Sequence, residues 1–372
     1  MKITILQGAF LPVPPLRGGA VEKVWQALGE EFVRAGHEVT HISRHCDQLA
    51  PSEHINGVLH KRAKGYDTPK SLIKLKICDL LFTLRARRLI PKSDFVVTNT
   101  FWAPIILNPV RHGKLWVHVQ RYPKGQMRFY RKAFTLQTVS KVIADAIIEQ
   151  APQFKDKVCI IPNPLPPFRI PEMPVTRNHK KVLFVGRIHP EKGIGLLIEA
   201  AKLAIIQDGS LEFVFVGPHQ EKFGGGGDAY LQTLLGNIKG YEKHMRFLGP
   251  IFDQSILHQH YLESGLFVYP SLAAKGEASP VAPLEAMAAG CPILTSRLDC
   301  FNDLLGDGIF AHSFEHEGQD AARNCCRQIL SCTSSTQAWP EESAAAVRRS
   351  EAFLPKEIAA RYLAIMARGV PQ

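Results

Sequence analysis

No apolar run in these 372 residues approaches the ~18 to 20 positions a membrane-spanning helix needs, so a span is excluded. The opening MKITILQGAFLPVPP has one lysine, a short apolar stretch that meets prolines and no small-residue cleavage pattern; it reads as a first cytoplasmic strand. The eight cysteines (46, 78, 159, 291, 300, 325, 326 and 332) include no CxxC pair and no zinc-type spacing, and they read as reduced structural thiols. No GxGxxG follows a strand and no GxxxxGK[ST] occurs, which argues against a dinucleotide dehydrogenase and a P-loop enzyme. No stacking-aromatic motif or recognised module supports a nucleic-acid binder, although the pI is near 9.3. Internal repeats are absent beyond a strand–helix alternation.

What is present is charge, and it is uneven. Residues 1–165 carry 25 Lys+Arg against 12 Asp+Glu, a balance of +13, whereas the remainder has 20 against 22, or −2. A basic half calls for an anionic partner: nucleic acid, a lipid surface or a phosphorylated substrate.

The length suits two domains, and the pattern supplies two. MKITILQ, the amphipathic AVEKVWQALGEEFVRAG with Val21, Val24, Trp25, Leu28 and Phe32 on one face, and HEVTHIS form a βαβ unit. Strands are expected at 94–99, 114–119, 134–140 and 157–162, separated by segments long enough for crossovers. IPNPLPPFRIPEMP then places six prolines between Pro162 and Pro174, a stiff linker. A second series follows, with strands at 180–186, 211–217, 244–249, 266–271 and 292–296 and helices at 193–207, 229–239, 253–261 and 281–289. The expected architecture is α/β: two doubly wound, Rossmann-like domains facing across a cleft, the first over 1–165 and the second over 166–350. A C-terminal helix in 351–372 is expected to pack back toward the first. Ligands of such sheets bind at the carboxyl ends of the strands.

Three places there carry chemistry. PPLRGGAVEKV brings Gly18 and Gly19 to a helix N-terminus, where free N–H groups suit a phosphate; a Gly-Gly turn serving only helix entry fits as well. FVGRIHPEKGIGLL sets Arg187 and Lys192 in the loop after a strand, a fork-like guanidinium and a point-charge ammonium suited to a diphosphate. GEASPVAPLEAMAAG sets Glu277 on a loop and Glu285 on the helix behind it, around prolines and small residues. Carboxylates accept hydrogen bonds from sugar hydroxyls, which puts Glu285 on a ribose and Glu277 on a second sugar. Together these groups describe a site for a nucleotide sugar. FGGGG at 223–227 reads as a flexible surface loop, and His189 as a loop residue without a metal partner.

Over nearly its whole length the chain resembles a retaining glycosyltransferase of the GT-B fold, in glycosyltransferase family 4. The resemblance rests on Gly18-Gly19-Ala20-Val21-Glu22 for the family's GG-x-E start, Gly186-Arg187 with Lys192-Gly193 for its cation loop, and Glu277 and Glu285 followed by AMAAGCP for its E-x7-E motif. It implies that Arg187 and Lys192 hold the donor diphosphate, Glu285 the ribose, and Glu277 with the backbone of Ala278, Ser279, Pro280, Val281 and Ala282 the transferred sugar. His118, ending the strand KLWVHV, matches a family histidine near the reaction centre, and Leu248 is counted with the donor-binding residues. Where the family has glycine-aromatic-glycine, this chain has Ala278-Ser279-Pro280, and Pro280 removes one N–H donor. The sugar therefore does not carry over.

The resemblance further implies retention of configuration with no metal and no cofactor, and no D-x-D pair occurs to hold a divalent cation. A UDP-sugar is favoured as donor, with GDP-mannose the alternative; a non-catalytic nucleotide or nucleic-acid binder is a remote one. The acceptor, a glycan, lipid-linked or phosphorylated molecule of cell-surface polysaccharide or glycolipid synthesis, is expected on the basic first domain. There KSLIKLKICDLLFTLRARRLIPK (70–92) mixes Leu72, Ile73, Leu75, Leu80, Leu81 and Leu84 with seven basic residues, as interfacial helices do. A cytoplasmic protein, peripheral on the inner face of an anionic membrane and without a nucleic-acid partner, is the expectation.

Overall fold

Short buried strands alternating with helices build a sheet twice over in this chain. The structure, a computed structural model, describes residues 1–16, 19–69, 71–168, 176–274, 277–334 and 337–369. The later part of the proline-rich linker, within 169–175, thus lies outside the described residues, as do Gly18 and Lys70. The chain divides into two units, residues 1–166 with 353–372, and residues 167–352.

In the first unit the strands are β1 (Lys2–Leu6), β2 (Glu38–Arg44), β3 (Ser52–Ile55), β4 (Val58–Ala63), β5 (Phe95–Thr98), β6 (Lys114–Val119), β7 (Ala133–Thr138) and β8 (Val158–Ile160). They lie in the order β3-β4-β2-β1-β5-β6-β7-β8, all pairs parallel except the β3–β4 hairpin. β5 and all of β6 beyond Lys114 are buried along their lengths, as a sheet covered on both faces requires. The helix Ala20–Arg34 seats Trp25, Leu28 and Phe32 in the core, where Trp25 and Phe32 meet Tyr362 of the C-terminal helix Pro355–Arg368 edge to face. The β3–β4 hairpin is not among the strands expected above. Its signal is Asn56-Gly57, both at positive φ, the two-residue turn that matches strand twist.

In the second unit β9 (Asn178–Val185), β10 (Glu212–Val216), β11 (Met245–Gly249), β12 (Ser264–Tyr269), β13 (Ile293–Ser296) and β14 (Ala311–Phe314) form a wholly parallel sheet, order β11-β10-β9-β12-β13-β14. The order reverses at β9, which has β10 on one side and β12 on the other. Loops leaving the carboxyl ends of β9 and β12 therefore diverge and open a crevice between them. In the first unit the equivalent point lies between β1 and β5. Among the described residues no helix is long and apolar enough to cross a membrane.

The β9 and β12 loops close on each other at Gly193, whose φ is +70° and where an added Cβ would lie 1.9 Å from the Pro270 carbonyl oxygen. Gly193→Ala is expected to destabilise the protein by roughly 1–3 kcal/mol or more, since strain and backbone clash add. Gly195, two residues on, has nothing within 4 Å of such a Cβ. Gly195→Ala should leave the melting temperature unchanged or higher; equal losses in the two variants would contradict the close approach.

Candidate functional site

The β9–β12 crevice gathers the cation loop and the first carboxylate. Lys192 forms a buried ion pair with Glu277 through Nζ and Oε1. The same Oε1 accepts hydrogen bonds from the Ser271 hydroxyl at 2.8 Å and the Tyr269 hydroxyl at 3.2 Å. With three donors on Oε1, Oε2 is the oxygen that has no partner among the described residues. The pair costs desolvation on both sides, and the two hydroxyls help offset it by satisfying the carboxylate. Burial first, and then the Glu277 charge, push the Tyr269 phenol well above its usual range, so it stays a donor.

Arg187, at the start of the β9 loop, is half-exposed. Its guanidinium donates at 2.6 Å to the Gly224 carbonyl and at 2.6 Å to Glu191. Gly224 belongs to the FGGGG stretch, which is not the free surface loop expected above. Gly226 N–H donates to Ile188 O at 2.8 Å and Gly227 N–H to His219 O at 2.7 Å, so the stretch is tied by its backbone to the cation loop and to the loop after β10. His189 lies in the same loop and accepts from Glu191 N–H at 3.3 Å.

Glu285 sits on the second turn of the helix Val281–Ala288 and accepts from the Tyr261 hydroxyl at 3.0 Å. Tyr261 is raised well above its normal pKa, mainly by burial and next by Glu285. Ala278, Ser279, Val281 and Ala282 are half-buried around the start of this helix, and Pro280 is its N-cap in extended geometry, so that position offers no N–H. Leu248 stands exposed on β11, two strands from β9, and no described contact joins it to this cluster.

His118 and Gly19 belong to the first unit. Gly19 caps the helix Ala20–Arg34 at φ 109°, and an added Cβ would lie 2.2 Å from Glu22 Oε2. Burial raises the pKa of Glu22, opposed by its own backbone hydrogen bond and by Arg121. Gly18 is outside the described residues. His118, next to last in β6, is buried, and its Nδ1 lies 2.5 Å from Gln137 Oε1. Gln137 spends its amide hydrogens on Thr138 O and Ile161 O, both at 2.8 Å. Its oxygen can only accept, so Nδ1 of His118 donates and Nε2 carries the lone pair. Nε2 is buried with no well-formed hydrogen bond, and burial lowers the imidazole to about 4 against the opposing effect of Gln137 and Gln120 beside it, so the ring is neutral at neutral pH. His118 shares a pocket of about 340 Å³ with Asn99, Gln120, Arg121, Gln126 and Tyr130 at the ends of β5 and β6.

Sequence reasoning does not name Tyr269, Ser271, Tyr261, Glu191, Gly224 or Gln137. Ser271 and Tyr269 end the strand expected at 266–271 and could be found from the rule that strand ends line the site; Gln137 and Tyr261 carry no such signal.

Two parallel-sheet units with basic and acidic loops at a switch point are the architecture of GT-B glycosyltransferases, and the chain has that fold. The Anabaena protein Alr3699/HepE, solved in complex with UDP and glucose, superposes with a TM-score of 0.70 at 18% identity, covering 99% of this chain and 100% of that one. The model of the glycosyl transferases group 1 family matches residues 179–331, which lie within the second unit. The chain is 26% identical to spore coat protein SA of Bacillus subtilis (strain 168) over 352 residues, 87% of this chain and 89% of that protein. A 137-residue stretch, 37% of this chain and 33% of the other, is 30% identical to the phosphatidyl-myo-inositol mannosyltransferase of Mycobacterium leprae.

The central pair is open to a direct test. Lys192→Met or Glu277→Gln alone leaves the other charge buried and should cost roughly 3–5 kcal/mol in urea unfolding, whereas the double variant should recover a large part of the summed loss. Additive losses would show that the two charges do not depend on each other.

Proposed function

We propose that the chain is a retaining hexosyltransferase of glycosyltransferase family 4 that takes its sugar from a nucleoside-diphosphate donor without a divalent cation. The first unit takes the acceptor and the second the donor. The observation that carries this reading is the switch-point cluster of Arg187, Lys192 and Glu277, built on the part of the chain that matches the family. The Arg187 guanidinium donates to Glu191 and to the Gly224 carbonyl, and a diphosphate offers the same fork of donors charge-assisted, bidentate contacts in their place. Lys192 adds a second positive charge from the same loop. The two oppose the charge that grows on the departing phosphate, an effect usually among the largest in such catalysis.

Glu277 orients rather than attacks. Its Oε1 is saturated by three donors, and Oε2 is available to a hydroxyl of the transferred sugar. In the front-face course we favour, the sugar–phosphate bond breaks and the acceptor oxygen bonds to the anomeric carbon from the same face. The leaving phosphate takes the acceptor's proton. The family model, the resemblance and the UDP and UDP-glucose complexes of the Anabaena protein support a UDP-sugar. The mannosyltransferase relative keeps GDP-mannose as the alternative. Glu285, whose second-turn position is fixed by Tyr261, is assigned the ribose.

Arg187→Ala removes a half-exposed cation and spares the buried pair. It should stay folded and lower transfer by on the order of 10²-fold, while UDP no longer raises the melting temperature. Near-normal turnover sinks the cation role, and an absence of any UDP or GDP effect on the wild type sinks the donor assignment.

Peripheral attachment to an anionic membrane, in the service of surface-glycan synthesis, is the second part of the reading. On the helix Leu72–Ala86 the side chains of Leu72 (74% exposed), Ile73 (73%), Ile77 (51%) and Leu81 (40%) face solvent, with Lys74, Lys76, Arg87 and Arg88 on or just after it. Each basic residue near an anionic surface contributes roughly 1 kcal/mol, screened by salt. Replacing Lys74, Arg87 and Arg88 by glutamine should weaken pelleting with anionic vesicles and leave nucleotide binding unchanged. Arg85 is spared because it donates to the Tyr66 hydroxyl at 2.7 Å. Equal pelleting with neutral and anionic vesicles would refute the attachment.

A further inference from the structure

The first unit holds a second concavity that the donor chemistry leaves unused. A groove of about 470 Å³ is lined by Phe101, Trp102, Ile105, Arg128, Phe129 and Arg131. Its floor is aromatic and aliphatic, and its rim carries two exposed arginines. Phe101 lines this groove and also the 340 Å³ pocket that holds His118, so this residue stands as the wall where a polar space and an apolar one meet.

The wall is built to stay in place. Asp79, buried on the helix Leu72–Ala86, accepts from Phe101 N–H at 3.1 Å and Trp102 N–H at 3.3 Å through one oxygen. The Trp102 indole donates to Lys76 O at 2.9 Å, and Lys76 Nζ lies 4.2 Å from the Phe101 ring centroid. The groove therefore runs on to the helix whose Leu72, Ile73, Ile77 and Leu81 are exposed. Arg121 on the polar pocket and Arg128 and Arg131 on the groove have no salt bridge or side-chain hydrogen bond among the described residues; Arg128 lies 5.0 Å from the Phe129 ring.

On the polar side the buried acceptors His118 Nε2 and Asn99 Oδ1 both lack partners. An unpaired buried acceptor is costly, and a hydroxyl is the neutral group that satisfies it. The sequence of surfaces is thus hydroxyl acceptors, three guanidinium groups without a salt bridge among the described residues, then an apolar trough that leads to an apolar helix face.

We propose that the acceptor is a lipid-linked sugar phosphate, its sugar in the His118 pocket, its phosphate on Arg121, Arg128 and Arg131, and the first part of its lipid chain in the Phe101–Phe129 groove. This rests on the glycosyltransferase reading and narrows its three acceptor classes to one. A soluble glycan would leave the trough and the rim arginines unexplained, and a bulk anionic bilayer would meet the convex helix without entering a concave groove.

The test reads binding without donor or turnover. Trp25, Trp116 and Trp339 are 1%, 0% and 4% exposed, so Trp102 is the tryptophan a groove ligand perturbs. Farnesyl phosphate, below the concentration at which it aggregates, should change the tryptophan emission saturably, and farnesol should bind about tenfold more weakly or worse for want of the charged contacts. Inorganic phosphate should leave the emission unchanged. Phe129→Ser and Arg128→Gln/Arg131→Gln should each weaken the interaction by about tenfold, and Trp102→Phe should remove the signal while calorimetry still finds the ligand. Farnesol binding as well as its phosphate, or Leu72→Ser/Ile73→Ser abolishing the response while the groove variants keep it, overturns the proposal. Efficient transfer to a soluble glycan with no response to farnesyl phosphate overturns it too and leaves the glycosyltransferase reading standing. Binding without transfer to any acceptor fails that reading alone.

Discussion

The buried Lys192–Glu277 pair is the constraint around which the second unit is arranged. Neither charge is stable in that position alone, because desolvation is repaid only when the partner and further donors are present. Tyr269 at the end of β12, Ser271 in the following loop and Lys192 at the end of the β9 loop must therefore converge on one carboxylate oxygen. Ser271 is held in turn, since Leu272 N–H donates to Glu191 O at 2.8 Å and Ser296 Oγ donates to the Ser271 carbonyl. Glu191 couples the pair to Arg187, so the cation loop and the carboxylate loop form one unit of structure whose charges are settled by contacts within the protein. Such prior settlement is what electrostatic catalysis requires, because dipoles already in place need no reorganisation during reaction.

The same constraint explains what could and could not be read from the residues. Strand positions were legible because a doubly covered parallel sheet demands unbroken apolar runs, and KVLFV, EFVFV and GLFVY supply them with little polar interruption. Arg187, Lys192 and Glu277 were legible as candidates because strand-end loops are where ligands meet such a sheet, and Glu285 because it lies on the helix that follows one. The support behind them was not. Tyr269 looks like the apolar end of β12 until its hydroxyl is seen on Glu277, and Gln137 looks like a strand residue until its amide is seen to dictate the His118 tautomer. Tertiary distance decides those roles, and no spacing along the chain encodes it. The FGGGG stretch failed for a related reason, since composition reports freedom of the backbone, whereas two of its peptide groups are spent on the cation loop and a third on His219 after β10.

His118 shows how far a neutral ring can be specified. Its neighbours leave it one tautomer, and Trp25 covers it edge-on at 5.3 Å. With its proton affinity lowered to about 4 by burial, it is poorly matched to general-base work near neutral pH, where the useful pKa lies close to the operating pH. An acceptor of a hydroxyl hydrogen bond is the role its lone pair fits. This agrees with a reaction in which the leaving phosphate, and no side chain, removes the proton.

The charge imbalance between the two parts of the chain now has a structural cause. In the second unit the cations at the β9–β12 crevice are paired within the chain, Arg187 with Glu191 and Lys192 with Glu277, so the proposed diphosphate site leaves no mark on a segment whose balance is −2. In the first unit the arginines beside the pockets and the basic residues around the helix Leu72–Ala86 are largely uncompensated, and the imbalance of +13 displays them. A small diphosphate enclosed by a crevice can displace internal counter-ions one for one. A phosphate presented from a lipid surface is better met by charges that stand unpaired, because they also attract it over a Debye length of about 8 Å at physiological salt.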